Sequence, residues 1–579
     1  MAVLAAAAAI EVPLLAVERE SVVEGVVDYK GRRVIDRSKT GGWRSASFII
    51  GVEIAERFAY YGIASNLITY LTGPLGQSTA VAAENVNVWS GVSSMLPLFG
   101  AFVADSYLGR FRTILFSSVL YVLGLGLLTL SAVLPSLSPT DCKNKENNSS
   151  CTPSPLQVIF FFSSLYLVAF AQGGHKPCVQ AFGADQFDAR DPDESKSKSS
   201  FFNWWYFGLC GGTFVSLLIL NYIQDNLNWG LGFGIPCISM AVALVIFLLG
   251  TKTYRYSFTD DKRSPFVRIG QVFVAAAKNW RINTQSPITD VEEEGSRKTS
   301  SRVGANQFKF LDKALIIDGT RYDENVCSIS QVEEAKVVLR LVPIWVTCLL
   351  YAVVFAQSST FFTKQGSTID RSIGGGFQLP AASLQTLISF SIVLFLPIYD
   401  RVFVPIARIF TGKPSGITML QRIGCGMFLS VISMVVAAIV EKKRLQIALD
   451  LGLIDMPKET IPMSMWWLAP QYILFGLADI FTMVGLQEFF YDQMPDGLRS
   501  VGLSLYLSIF GIGNFLSGFL ISTIEKITSA SGQYSWFSNN LNRAHLDYFY
   551  WLLAGLSVVE FTAYLYFSKS YLYNRGASM

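Results

Sequence analysis

Residues 51–62 read Gly-Val-Glu-Ile-Ala-Glu-Arg-Phe-Ala-Tyr-Tyr-Gly. They lie inside an otherwise apolar stretch near 46–71. Glu53, Glu56 and Arg57 stand at i, i+3 and i+4, so a helix puts all three on one face. Glu53 and Arg57 are spaced to pair. A charge held at mid-bilayer costs about 2.5–3.5 kcal/mol, so three in one span mark function by default.

The rest of the chain supports a membrane setting. Of its 579 residues, 51% are apolar and 15% charged, against roughly a quarter charged in soluble domains. Disorder needs low hydrophobicity and is excluded. Net charge is +3, with two histidines, which argues against nucleic-acid binding, a histidine-rich metal site or a Ser-His-Asp hydrolase. No phosphate loop, nucleophile elbow or metal-ligand spacing is present, so neither catalytic nor metal residues are assigned and the chain is not read as an enzyme. No cofactor is implied beyond protons as coupling ion. The apolar start has no basic n-region and holds Glu11, and reads as a mature tail rather than a signal peptide.

A spanning helix needs about 20 apolar residues. Roughly twelve such stretches occur, near 46–71, 86–106, 111–135, 156–178, 201–222, 231–250, 337–361, 380–399, 418–440, 465–486, 499–522 and 546–568. The expected fold is an all-α integral membrane protein with two six-helix bundles, 46–250 and 337–568. A cytosolic linker, 251–336, joins them, with tails at 1–45 and 569–579. This is the outline of a major facilitator. Arg110, Arg112, Arg190, Lys196, Lys198, Arg401, Arg408 and Lys413 place the short basic loops on one face with both termini, which is then cytosolic. Lys442, Lys443 and Arg444 disagree, appearing to follow span nine on the other face.

The loop 136–155 should be non-cytosolic. Cys142 and Cys151 could form a disulfide there, and Asn147 and Asn148 begin overlapping glycosylation sequons. A plain polar loop with free thiols stays equally open.

Other intramembrane charges are few. Lys176, ending span four, is expected to pair with Glu53 or Glu56 and to be freed when the carboxylate takes a proton. His175 beside it reads as a packing residue. Asp479 in span ten is expected to face Lys176 as a gate between the bundles; a hydrogen-bonded Asp inside the second bundle is the alternative. Glu560 reads as interfacial. For the span-one cluster, the alternative to coupling is a buried lock between helices.

Glu53-Ile54-Ala55-Glu56-Arg57 resembles the E-x-x-E-R/K motif of proton-coupled oligopeptide transporters. From about Trp43 to Tyr571 the chain resembles the plant nitrate/peptide transporter family within that group. Gly100 to Arg110, with Asp105 and Gly109, is similar to the facilitator loop motif. Gly173-Gly174-His175-Lys176-Pro177, Gly183 to Asp188 and Phe201 to Tyr206 resemble the signatures of spans four and five. Asp400-Arg401 and Gln421 to Gly424 fit the second half. The resemblance implies a proton symporter working by alternating access, with Glu53, Glu56, Arg57 and Lys176 coupling protons. It implies conformational roles for Asp105, Gly109, Arg110, Asp400 and Arg401. Thr113 matches a phosphorylated position.

Departures bear on substrate. The peptide-carboxylate Arg is replaced by Ala64 after Tyr60-Tyr61-Gly62, a span-five Asn by Cys210, and a nitrate-binding His by Phe355 before Ala356-Gln357. Tyr60, Tyr61, Phe355, Gln357 and Cys210 are therefore substrate-site candidates with Lys176 and Asp479. The expected function is symport of nitrate or a small organic anion. Di- or tripeptide symport and ligand sensing with little flux are the alternatives. Partners are a small-molecule substrate, protons and the lipid bilayer, with no nucleic acid, in a monomer or weak homodimer. Gly485 to Tyr491 looks most like subfamily five, which implies a plasma or vacuolar membrane.

Overall fold

The computed structural model describes residues 23, 25–37, 39–134, 154–188, 191–257, 265–281, 308–315, 327–374, 377–411, 417–494, 498–530 and 535–571. Cys142, Cys151, Asn147 and Asn148 fall outside them, as do the side chains of Asp105 and Asp400.

The first half comprises strand β1 (Val26–Val27), then helices α1 (Gly42–Ala64), α2 (Leu67–Thr72), α3 (Thr79–Val103), α4 (Arg110–Val133), α5 (Pro155–Ala184), α6 (Pro192–Asn226) and α7 (Trp229–Leu249). Strand β2 (Tyr256–Ser257) and α8 (Pro265–Lys278) follow. The second half comprises α9 (Ile329–Val346), α10 (Leu349–Ala356), α11 (Phe361–Ser367), β3 (Ile369–Asp370), α12 (Thr386–Ile398), α13 (Val404–Thr411), α14 (Met419–Asp450), β4 (Ile461–Ser464), α15 (Ala469–Asp492), α16 (Arg499–Ala530) and α17 (Leu546–Ser570). Local chemistry sets several starts. Ser78, Ser154, Asp191 and Asn228 accept the first free N–H groups of α3, α5, α6 and α7. Ser328 with Gln331 and Thr418 with Gln421 form capping boxes on α9 and α14.

Among the described residues, ten helices are long and apolar enough to cross a membrane, and α9 with α10–α11 makes an eleventh, bent by 47°. The 23 residues of α1 also have the length of a span. Its three central charges depress its hydropathy.

Several boundaries differ from the sequence reading. Span one ends at Ala64, where α2 begins a separate turn. The seventh span begins at Ile329, inside the stretch read as linker. Its polar start is neutralised: Lys336 pairs with Asp312 and Glu333, both at 2.8 Å. Val272, Ala276, Leu311 and Ala314 pack with Val332 and Ala335, so part of the linker docks on α9. Helix α14 runs on to Asp450, so Lys442, Lys443 and Arg444 are helical rather than in a loop. Arg444 is buried against Glu441 at 2.6 Å, and Lys443 sits 3.3 Å over the Trp467 ring. Pairing with Glu441 removes one of the three conflicting charges, and Lys442 and Lys443 stay exposed.

The N-terminal segment is also built in. Val26 and Val27 pair antiparallel with Ser257 and Tyr256. Arg37 bridges Asp188 at 3.0 Å and Asp191 at 2.6 Å. Arg255, 1% exposed, donates to both Glu194 oxygens at 2.6 and 3.0 Å. Gln186 donates to the Arg255 carbonyl and accepts from its N–H. These contacts strap the chain before α1 to the α5–α6 connection and to the start of the linker.

The halves repeat one another. A π-helical turn follows α3 (Ala104–Leu108) and another follows α12 (Tyr399–Phe403). Arg110 opening α4 reaches Asp185 beyond α5 at 2.5 Å. Arg422 near the start of α14 reaches Glu488 late in α15 at 3.4 Å. The two halves meet at the face opposite the N-terminal strap. There Asn87 donates to Ser517 at 2.9 Å, Ser383 to the Leu217 carbonyl at 2.7 Å, and Gln385 to the Ser65 carbonyl at 3.0 Å. Lys364 donates to Thr72 at 3.1 Å, and the Thr79 N–H to Asn539 at 2.9 Å. A Cβ on Gly91 of α3 would stand 3.0 Å from the Gly511 carbonyl of α16. Bare backbone lets these helices close the seal.

Candidate functional site

On α1, Arg57 sits between two carboxylates. Its Nε lies 3.1 Å from Glu53 Oε1, and its guanidinium also pairs with Glu56. Glu53, Glu56 and Arg57 are at most 3% exposed. The trio carries one net negative charge. Glu53 Oε2 and both Glu56 oxygens accept no hydrogen bond. The ion pairs are therefore contacts of charge without aligned donors, and the carboxylates keep free acceptor positions for a proton.

Aromatic packing fixes this face. Arg57 lies 5.7 Å over the Tyr60 ring. Tyr60 stacks on Trp89 at 5.7 Å and meets Tyr61 edge-on at 5.3 Å. Trp89 is pinned by its N–H to the Leu165 carbonyl at 3.1 Å.

Lys176 lies within electrostatic reach of Arg57, Glu56 and Glu53. The expected Lys176–carboxylate bridge is absent among the described residues; Arg57 takes both acids instead. Helix α5, which carries Lys176, packs bare backbone on α3: a Cβ on Gly100 would lie 2.1 Å from the Gly173 carbonyl. His175 is fully buried, edge-on to Tyr121 at 6.3 Å between centroids.

In the second half the expected Asp479–Lys176 gate is not formed. Asp479, 4% exposed, accepts the Tyr351 hydroxyl at 2.5 Å. Across the gap between halves, Tyr61 and Tyr206 of the first half, with Tyr506 of the second, are electrostatic neighbours of Asp479. Cys210 joins them through Tyr206. Tyr206 is 41% exposed, so it borders open space. Two expected substrate residues have other partners. Phe355, partly exposed, packs against Phe475 at 5.9 Å and Phe510 at 5.3 Å. Gln357 is fully buried and donates to Ser517 at 3.1 Å, the hydroxyl that also receives Asn87. It belongs to the seal.

Of the conformational motifs, Arg110 pairs with Asp185, Gly109 has φ +77°, which suits glycine, and Arg401 is exposed. Thr113 is 4% exposed and donates to the Gly109 carbonyl at 3.0 Å, so its hydroxyl is out of reach of a kinase in this conformation. Cys210, Cys237, Cys327, Cys348 and Cys425 are free thiols. An apolar groove of about 940 Å³, lined by Phe403, Gly424, Phe428 and Phe561, faces outward from the second half and lies apart from these charges.

Sequence reasoning missed Tyr351, Tyr206, Tyr506 and Ser517. Tyr206 lay within a quoted motif, but nothing in the string showed which way it faced.

Comparison with known proteins places this arrangement. A family model described as "POT family" matches residues 111–537. The chain is similar to Protein NRT1/ PTR FAMILY 5.10 of Arabidopsis thaliana, 65% identical over 97% of each chain. Protein NRT1/ PTR FAMILY 5.12 from the same plant is 58% identical over 95% of this chain and 96% of that one. In fold the chain is similar to an auto-inhibited POT family peptide transporter, with a TM-score of 0.68 at 20% identity over 93% of this chain and 99% of that one. The POT family transporter PepTSo gives a TM-score of 0.67 at 20% identity, over 91% of this chain and 98% of that one.

Proposed function

Because the chain belongs to the POT family of proton-coupled membrane transporters, we propose that it is a symporter that moves nitrate or a small organic anion with protons by alternating access. The observation that carries this reading is the net negative trio Glu53–Glu56–Arg57 with an unpaired Lys176 in its field. A proton on Glu56 or Glu53 releases part of Arg57's charge. The pocket then gains positive potential from Arg57 and Lys176, which favours an anion. Loss of the anion makes the carboxylates expel the proton. Binding of each favours the other, which is the reciprocity symport requires.

The face with the strap carries Arg110, Arg112 and Arg422, and is assigned to the cytosol. With the opposite face sealed, this conformation opens to the cytosol. The tyrosine-lined gap beside Asp479 supports an organic anion that carries a hydroxyl or amine, which Asp479 accepts.

Substrate-induced current in voltage-clamped oocytes at acidic and neutral external pH tests the reading, with nitrate, a dipeptide and a panel of organic anions, beside Glu56→Gln and with surface expression confirmed. An acid-stimulated inward current with an anion, lost in the variant, is expected. A current with the dipeptide alone would overturn the substrate class.

A further inference from the structure

The carboxylate of Glu560 stands where the seventh span breaks. Helix α9 stops at Val346 and α10 starts at Leu349, with a bend of 47° between them. A break leaves the first N–H groups of the new segment without carbonyls one turn back. Glu560 Oε1, from α17, accepts the N–H of Leu350 at 2.7 Å and that of Tyr351 at 3.2 Å. An anion at a helix start also meets the positive end of its dipole. The sequence reading of Glu560 as an interfacial charge is thus corrected: its partners are backbone amides that no residue pattern displays.

Both segments pack on α16, and the start of α10 is also held by α17. Below the break, Trp345 donates to the Leu505 carbonyl at 3.1 Å and Ser508 at 2.9 Å, both on α16. On the far side of α10, a Cβ on Gly513 would lie 2.3 Å from Ala352 Cβ. Above the break, α10 begins at Glu560 and is followed by Gln357. This one segment carries Tyr351, which holds Asp479 at the site, and leads into Gln357, which holds Ser517 in the seal. Tyr351 and Gln357 are six residues apart, about 9 Å along a helix. Tyr351 sits at the held start and Gln357 at the far end, so a tilt of α10 about its start swings Gln357 while Tyr351 stays near the pivot.

We propose that Glu560 is a positioning residue of the transport cycle, the pivot that holds the start of α10 and so links the occupancy of the Asp479 site to the seal between the halves. The carboxylate touches no substrate. It acts through Tyr351 at one end and Gln357 at the other. The proposal rests on the alternating-access reading above, and its test is independent of substrate.

The experiment uses the full chain in lipid nanodiscs, without substrate. Hydrogen exchange is followed over Trp345–Gln357 in wild type, Glu560→Gln and Glu560→Ala. Gln retains one carbonyl acceptor; Ala retains none. The Leu350 and Tyr351 amides are expected to exchange about tenfold faster in Glu560→Ala, as loss of a buried acceptor allows, and to stay within about threefold of wild type in Glu560→Gln. Spin labels at exposed Leu156 and Leu451, on the sealed rims of the two halves, then report closure. The Ala variant is expected to show a longer distance, restored by Gln. Unchanged exchange in Glu560→Ala would overturn the pivot. Faster exchange with an unchanged rim distance would overturn the link to the seal. If anion transport fails in the oocyte test while exchange and distance respond, the substrate reading falls and the pivot stands.

Discussion

The Tyr351 hydroxyl donates a hydrogen bond to Asp479 at 2.5 Å, joining the seventh span to the tenth inside the second half. Asp479 is 4% exposed, so losing this donor leaves a buried carboxylate short of a partner, at about 1–3 kcal/mol. Tyr351→Phe is expected to raise the KM for the transported solute by roughly tenfold. In an Asp479→Asn background the same change should add little. Equal losses in both backgrounds would break the link between the two groups.

Glu56→Gln is expected to remove the pH dependence of uptake while leaving solute exchange across a membrane with no proton gradient. Lys176→Ala should abolish concentrative uptake in the same assay, because the pocket then lacks its unpaired cation. Uptake that still follows the proton gradient in Glu56→Gln would show that coupling lies outside the α1 trio.

The seal gives a third expectation. Asn87→Ala removes the bond to Ser517, worth about 1 kcal/mol. The sealed population should fall several-fold, read as faster modification of a cysteine introduced at the far face. Ser517→Ala should shift it further, because that hydroxyl also receives Gln357.

The strap is testable apart from transport. Glu194→Gln leaves Arg255 buried without a full countercharge. The expected result is a lower melting temperature in detergent and earlier proteolysis before α1, with the transmembrane helices intact. Asp191, which caps α6, is held below the usual carboxylate range, chiefly by the Glu194 N–H. A depressed carboxylate adds stability above its ordinary value of about 3.9 and loses it as pH falls through the lowered value. This cap should therefore hold throughout the cytosolic range and fail only in strong acid.

The charges of the site were legible because each is costly in lipid and stands out against apolar neighbours. The face shared by Glu53, Glu56 and Arg57 followed from helical spacing. The Glu53–Arg57 pair followed from the same spacing; the partner of Lys176 did not, because it depends on how α5 approaches α1, and Arg57 also took Glu56. Tyr351, Tyr206 and Tyr506 were hidden because a tyrosine in a span reads alike whether it faces lipid or a cavity. Lys442–Arg444 looked like a loop because hydropathy falls there, yet the helix continues and buries Arg444 against Glu441. Phe355 gave no sign in the sequence of its ring neighbours Phe475 and Phe510.

Among the described residues, five hydrogen bonds join the halves at the seal beside its backbone packing, four of them between neutral groups. At about 1 kcal/mol each they hold the far face shut by about 5 kcal/mol. One proton falling through about 100 mV and one pH unit releases about 4 kcal/mol. The two magnitudes nearly match, and closing the other face recovers part of the difference. A molecule so balanced reverses direction with the gradient: the bonds that keep it shut are weak enough for the cell's energised membrane to turn it either way.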